Sequence, residues 1–231
     1  ATNLEMGMHL WVKGKVEEEG RVCIPASLFA SIIVTTKEER ITLESQGVNV
    51  KINAQSFEGL LKGQDANEFP LIPKPAISSF ISLGVKQVSE GISQVQYIAA
   101  ISEIYPEISG ILMSFSGNSL TLVATDSFRL GERMIPLKTE YKEISFSVII
   151  PSKTIAELIR IFSESEEKIK MIIEKNQIGF ESSKTELVSR LIEGNYPDYK
   201  KLIPIDFNTT VRVNKENFLK TIKLVSLLSG R

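Results

Sequence analysis

One cysteine, one histidine and one tryptophan among 231 residues leave several side-chain chemistries without their reagents. Cys23 cannot close an intramolecular disulfide, and its place in the apolar run Val22-Cys23-Ile24 predicts a small buried hydrophobe in a reducing, cytoplasmic protein. Nucleophilic catalysis of the Ser/His/Asp or Cys/His kind needs a histidine. His9 lies in the strand-like run Met8-His9-Leu10-Trp11, with no spacing that ties it to Cys23 or Asp126, so it reads as a packing or surface residue. One Cys and one His are also too few for a tetrahedral zinc site. There is no Walker loop and no dinucleotide fingerprint, since the glycine pairs Gly59/Gly63 and Gly14/Gly20 lack the required companions. No cofactor or metal is expected. No apolar stretch approaches the roughly 20 residues needed to span a bilayer, and the N-terminus lacks a charged region followed by an apolar one, so no membrane association is expected.

A large surplus of cations is missing as well. The formal net charge of −1 argues against coating by nucleic acid through bulk attraction, so any DNA contact must be local or enforced by shape. Hydrophobic residues at 42% and charged residues at 24% place the chain among ordinary globular proteins, long enough for one large or two small domains.

The chain does hold an internal repeat. Val22-Cys23-Ile24-Pro25 leads into 26–36 with Phe29, Ile32 and Ile33 apolar; Val148-Ile149-Ile150-Pro151 leads into 152–162 with Ile155, Leu158 and Ile159 apolar. These two superimpose without a gap. A third copy runs Val211-Arg212-Val213-Asn214 and then Phe218, Ile222 and Val225, and a weaker one Ile81-Ser82-Leu83-Gly84 and then Val88, Ile92 and Val95. In each copy an extended run switches to apolar spacings of three and four, which predicts a strand feeding an amphipathic helix. Pro, Gly or Asn at the junction suits a helix start. The junctions at 25, 84, 151 and 214 leave room for about three or four strands between helices.

Strands are expected over 40–44, 48–54 and 57–62 after the first helix, 110–116, 119–124 and 129–137 after the second, and 168–173, 177–181 and 186–191 after the third. Turns fall at Ser116-Gly117-Asn118 and Thr125-Asp126-Ser127. Two connectors, 68–73 and 195–204, each pair an aromatic with Pro and end in an apolar residue plus Pro. They divide the chain into the second half of one domain (1–74), a complete two-helix domain (75–204) and the opening of a third (205–231). The chain begins at Ala1 within a strand-like run, 2–6, and its fourth helix has no strands behind it, so a fragment of a longer polypeptide is expected.

Three segments then carry a family resemblance. Val123-Ala124-Thr125-Asp126-Ser127-Phe128-Arg129-Leu130, Leu191-Ile192-Glu193-Gly194-Asn195-Tyr196-Pro197-Asp198-Tyr199 and Ala1-Thr2-Asn3-Leu4-Glu5-Met6 resemble signatures of the beta subunit of bacterial replicative DNA polymerase, the beta sliding clamp family. The resemblance implies an α+β DNA-clamp fold, with repeated strand-helix modules and helices on one face of antiparallel sheets. It implies a non-catalytic processivity factor, a homodimeric ring around duplex DNA that recruits the polymerase catalytic subunit, the clamp loader and repair proteins through short peptide motifs.

On this resemblance the partner-peptide pocket comprises Ile108, Thr125, Ser127, Phe128, Arg129 and Leu130 with Pro197, Lys201 and Leu202. Tyr105 stands where the family often has Arg, and Lys201 where a common member has Arg; lysine lacks the planar fork of arginine. The third-domain half of the pocket would lie beyond Arg231, so the chain alone is expected to bind the peptide poorly. DNA-facing cations would be Lys153 and Arg160 on the helix from Ser152, opposite Ile155, Leu158, Ile159 and Phe162, with Lys220 and Lys223 opposite Phe218, Ile222 and Val225. Loose phosphate contacts carry no sequence information and suit sliding.

Two other readings remain open. A metal-dependent phosphoryl-transfer or nuclease domain would use Asp126 with Glu132 or Asp198, although two-metal chemistry needs carboxylates converging on one point. Asp126 within a turn is more consistent with bonding to the local backbone. The other is a peptide-binding scaffold without a DNA role.

Overall fold

Apolar alternation along the strands and three-four spacing along the helices generate a mixed α+β architecture in the computed structural model, which describes residues 1–72, 75, 80–102, 104–141, 144–162 and 168–229. Pro73 of the first connector, the expected boundary at 74, and Gly230 and Arg231 lie outside the described residues. The chain divides into two units, Ala1–Tyr196 and Pro197–Arg231.

The first unit holds three antiparallel sheets. β1 (Met6–Leu10), β5 (Ile81–Gly84), β10 (Lys168–Ile173), β11 (Gln177–Glu181) and β12 (Thr185–Arg190) form a five-stranded sheet in the order β1-β12-β11-β10-β5. β6 (Gly110–Ser116), β7 (Ser119–Thr125), β8 (Leu130–Pro136) and β9 (Ser145–Pro151) form a four-stranded one in the order β8-β7-β6-β9. β2 (Thr42–Gln46), β3 (Asn49–Asn53) and β4 (Glu58–Leu61) form the third, in chain order.

Two helices seal the main core. α2 (Val85–Val95) buries Val85, Val88, Ile92 and Val95 and packs on β5, β7 and β8; α4 (Ser152–Phe162) buries Ile155, Leu158 and Phe162 and packs on β6, β9 and α2 itself. Each such side chain contributes about 1.5–3 kcal/mol by leaving water. Gly91 permits the close approach of α2, since a Cβ there would stand 2.5 Å from Cδ1 of Ile135 on β8. Polar groups are few inside this core. Thr154 on α4 and Ser189 on β12 solve their burial by a mutual hydroxyl bond of 2.7 Å.

α1 (Ala26–Thr36) rests with Phe29 and Ile32 on a smaller core of Val50, Ile52 and Leu61 in the third sheet. In the second unit, α5 (Lys215–Leu228) starts at Asn214, whose side chain accepts the N–H of Asn217 at 3.0 Å.

The structure corrects several expectations. Residues 2–6 are not a strand: the side chains of Thr2 and Asn3 engage the backbone of 4–6, a local alternative to a ladder, and β1 begins only at Met6. The run 22–24 forms a single bridge, Cys23 to Gln64, because Pro25 has no N–H with which to extend it, and Cys23 is half-buried rather than enclosed. The run 211–213 forms no strand, as the described residues of its unit offer no second strand to pair with. For the same reason Phe218, Ile222 and Val225 are 53%, 48% and 57% exposed, in keeping with a helix that has no described strands behind it. Ile159 is half-buried at the edge of the α4 interface. β9 begins three residues before the expected run 148–151 and strand ends elsewhere shift by one or two, while α1, α4, β6, β10 and β11 span the residues expected of them.

Candidate functional site

The turn between β7 and β8 is fixed by its own side chains. Thr125, buried at the end of β7, accepts the Ser127 N–H through its hydroxyl at 3.1 Å and donates that hydroxyl to the Arg129 carbonyl at 2.9 Å. One carboxylate oxygen of Asp126 accepts the N–H groups of Phe128 and Arg129 at 3.0 and 2.9 Å, and the other accepts Nε of Arg129 at 3.0 Å. The N–H of Arg129, with that of Phe128 and the guanidinium behind it, holds the Asp126 carboxyl below the usual range despite some desolvation. Ser127 takes the left-handed conformation, φ 73°. Asp126 is thereby committed to the local backbone, and Glu132 lies on β8. Among the described residues no group of three or more His, Cys, Asp or Glu side chains is placed to hold a metal ion.

This geometry turns Phe128 fully outward, 98% exposed, while Arg129 folds back. The Arg129 guanidinium donates to the Tyr97 carbonyl at 3.1 Å and lies 5.6 Å above the Tyr97 ring centroid. The 3-10 turn Gln96–Ile98 that follows α2 is thus tied to the β7–β8 turn. Gly131 opens β8 to the same turn, since a Cβ there would collide with Ile98 Cδ1. Ile108 is buried on α3 (Pro106–Ser109), and its carbonyl accepts the Ala100 N–H at 3.0 Å. Tyr105, 58% exposed, precedes α3 as its cap residue. Leu130 opens β8 half-buried, paired with Thr125. Tyr196 donates its hydroxyl toward the Val123 carbonyl at 3.4 Å, and burial pushes its pKa up to about 12.

The structure therefore joins Thr125, Ser127, Phe128, Arg129 and Leu130 in one rigid turn, with Ile108 on the neighbouring short helix. Pro197, Lys201 and Leu202 fall in the second unit. There Lys201 and Leu202 belong to the 3-10 turn Tyr199–Leu202, and Leu202 is 73% exposed. Lys201 Nζ lies 2.8 Å from Asp198 Oδ2, and this hydrogen bond raises the lysine pKa.

Reading the sequence missed a duplication of this scaffold. At 2–6, Thr2 donates its hydroxyl to the Met6 carbonyl and accepts the Leu4 N–H, Asn3 Oδ1 accepts the N–H groups of Glu5 and Met6, and Leu4 has φ 74°. The bond pattern is that of 125–129, residue for residue. The shared Ala-Thr-(Asn/Asp) at 1–3 and 124–126 was the available signal.

Of the expected DNA-facing cations, Lys153 is exposed on α4. Arg160 is also exposed but bonded to Glu157, with Nε 2.7 Å from the carboxylate, which offsets its charge. Lys220 and Lys223 are exposed on α5.

The family described as DNA polymerase III beta subunit, central domain, matches residues 82–198. The beta sliding clamp of Staphylococcus epidermidis is 32% identical over 217 residues, 93% of this chain and 57% of that protein. That of Streptococcus pneumoniae is 31% identical over 215 residues, 91% of this chain and 56% of that protein. The crystal structure of the DNA polymerase sliding clamp from Bacillus subtilis superposes with TM-score 0.89 at 28% identity, covering 100% of this chain and 63% of that one. The chain thus spans less than two thirds of the length of these relatives.

Proposed function

The chain belongs to the DNA polymerase III beta subunit family, and we propose that it acts as a sliding clamp, a non-catalytic processivity factor in DNA replication that encircles duplex DNA as a cytoplasmic homodimer. The reading divides it into part of a first clamp domain (1–74), a second domain (75–204) and the start of a third (205–231). Polymerase, clamp loader and repair proteins would dock by short peptides, and contact with DNA would be independent of sequence.

The observation that carries the docking role is the turn Thr125–Arg129, which spends five hydrogen bonds on holding an exposed phenylalanine outward. An exposed aromatic with a fixed backbone is a pre-organised anchor, and pre-organisation lowers the entropy lost on binding. Thr125, Ser127, Phe128 and Arg129 are assigned to partner-peptide binding on this ground together with the resemblance, and Ile108 and Leu130 on the resemblance. Pro197, Lys201 and Leu202 are assigned by the resemblance alone. Lys153 and Arg160 on α4 are proposed to face DNA, as are Lys220 and Lys223 on α5. α2 and α4 lie against each other, which supports a helical wall.

Two measurements test this reading. Full-length protein loaded on circular duplex DNA should stay bound and be released when the circle is cut; retention on the linear product would sink the encirclement. A Gln-Leu-Phe type peptide should bind full-length protein more weakly in Leu130→Ala and Leu202→Ala, and unchanged affinity in both would remove the docking assignment.

A further inference from the structure

Tyr97 sits in the 3-10 turn that follows α2, and its neighbours fix it there. Val95 and Ile98, on either side of Gln96 and Tyr97, are buried in the main core, and Ile98 Cδ1 lies so close to Gly131 that a Cβ there would meet it at 2.4 Å. Tyr97 itself is 66% exposed and stands outside that core, so its ring has a rigid base without filling the interior. What the ring does meet is the Arg129 guanidinium, 5.6 Å from its centroid, while the carbonyl of the same residue accepts Nη2 at 3.1 Å. With Asp126 Oδ2 accepting Nε at 3.0 Å, the cation is held from three directions. Two of the three come from Tyr97, and of those two only the ring depends on which residue is present.

We infer that Tyr97 is a positioning residue of the docking turn: its ring parks the Arg129 guanidinium and so keeps the adjacent Phe128 bare for a partner peptide. The inference rests on the docking role proposed for Phe128. A guanidinium is attracted to the face of a phenylalanine much as to that of a tyrosine, and Phe128 is the next residue along the chain. Phe128 is nevertheless 98% exposed, because the cation is engaged on the other ring. Released from Tyr97, the guanidinium would settle over Phe128 and cover the anchor. A peptide that packs an apolar side chain on Phe128 would then first have to displace a bound cation, which costs affinity.

Two substitutions separate the ring from the carbonyl: Tyr97→Ala removes the ring and keeps the carbonyl, and Tyr97→Phe keeps both. Affinity of full-length protein for the Gln-Leu-Phe type peptide should fall about 2- to 5-fold in Tyr97→Ala, the equivalent of one exposed cation–π contact, and return to the parent value in Tyr97→Phe. In an Arg129→Gln background the Tyr97→Ala loss should vanish, since no cation is left to park, whereas a loss caused by a merely structural role of the ring would persist. The position of the cation is read without any peptide from the Arg129 Nε–H resonance in proton–nitrogen correlation spectra of the 231-residue chain. That resonance should be shifted by the ring in the parent and in Tyr97→Phe, and should move toward the free-arginine position in Tyr97→Ala. Phe128→Ala monitors the docking role: unchanged affinity there removes the docking reading and the positioning role with it. A loss in Phe128→Ala without one in Tyr97→Ala, equal Tyr97→Ala losses with and without Arg129, or an Nε–H resonance indifferent to the ring overturns the positioning role alone.

Discussion

Leu4 and Ser127 occupy the same point of two copies of one turn, with φ 74° and 73°, and in each the preceding Asn or Asp accepts two backbone N–H groups from the residues that follow. A leucine in the left-handed region is sterically disfavoured, and it persists because the Thr and Asn side chains satisfy the backbone only in that conformation. The copies differ in what they display: Glu5 and Met6 in one, Phe128 and Arg129 in the other. The backbone is a shared frame, and the side chains at its third and later positions decide what it offers.

Relief of that strain is measurable. Leu4→Gly should raise stability by about 1 kcal/mol, after the entropy that glycine adds to the unfolded chain is subtracted, and Ser127→Gly by less. Chemical denaturation gives both values; a destabilised Leu4→Gly would show that the leucine side chain, not the backbone, matters there.

Phe128 contributes exposure without burial. Phe128→Ala should therefore leave the denaturation midpoint within about 0.5 kcal/mol of the parent. Peptide affinity of full-length protein should fall about tenfold or more, as for an aromatic anchor. A variant that unfolds more readily yet binds as well as the parent would invert both expectations.

The contact between Gly91 and Ile135 predicts coupled mutations. Gly91→Ala pushes a methyl group against Ile135 Cδ1 and should destabilise by about 1–3 kcal/mol. Ile135→Val removes that atom, so the double variant should recover part of the loss. Strict additivity in the double-mutant cycle would mean that α2 shifts as a body instead.

Asp126 and Tyr196 give opposite pH dependences. The Asp126 carboxyl titrates below its ordinary value when folded, so its contribution is present at neutral pH and is lost as pH falls through the depressed pKa. Asp126→Asn should flatten the acid limb of the stability profile. Tyr196, at about 12, keeps its proton longer when folded than unfolded, so its contribution is full below the ordinary tyrosine pKa and declines as pH rises through about 12. Spectrophotometric titration of the parent against Tyr196→Phe should assign the last-titrating phenol to this residue; a difference centred near 10 would refute the burial argument.

How much of this was legible beforehand depends on where the information resides. The helices α1 and α4 were bounded to the residue because proline marks their start and apolar spacing repeats within them. Strands β6, β10 and β11 were equally plain, bounded by turn residues such as Gly117, whose φ is 63°. The runs 22–24 and 211–213 looked identical to true strands because alternation reports a willingness to pair, not the presence of a partner. His9 could be read as a packing or surface residue but not as the one 2.9 Å from Glu186, since β1 meets β12 only through tertiary pairing.

The candidate site divides along the same line. Thr125, Asp126 and Ser127 announced a turn because short polar side chains bond to their own backbone, a physics confined to a few neighbouring residues. That Phe128 points outward and that Arg129 reaches back to Tyr97 could not be read there. Those arrangements depend on the order in which strands pair and helices pack, which long-range burial selects.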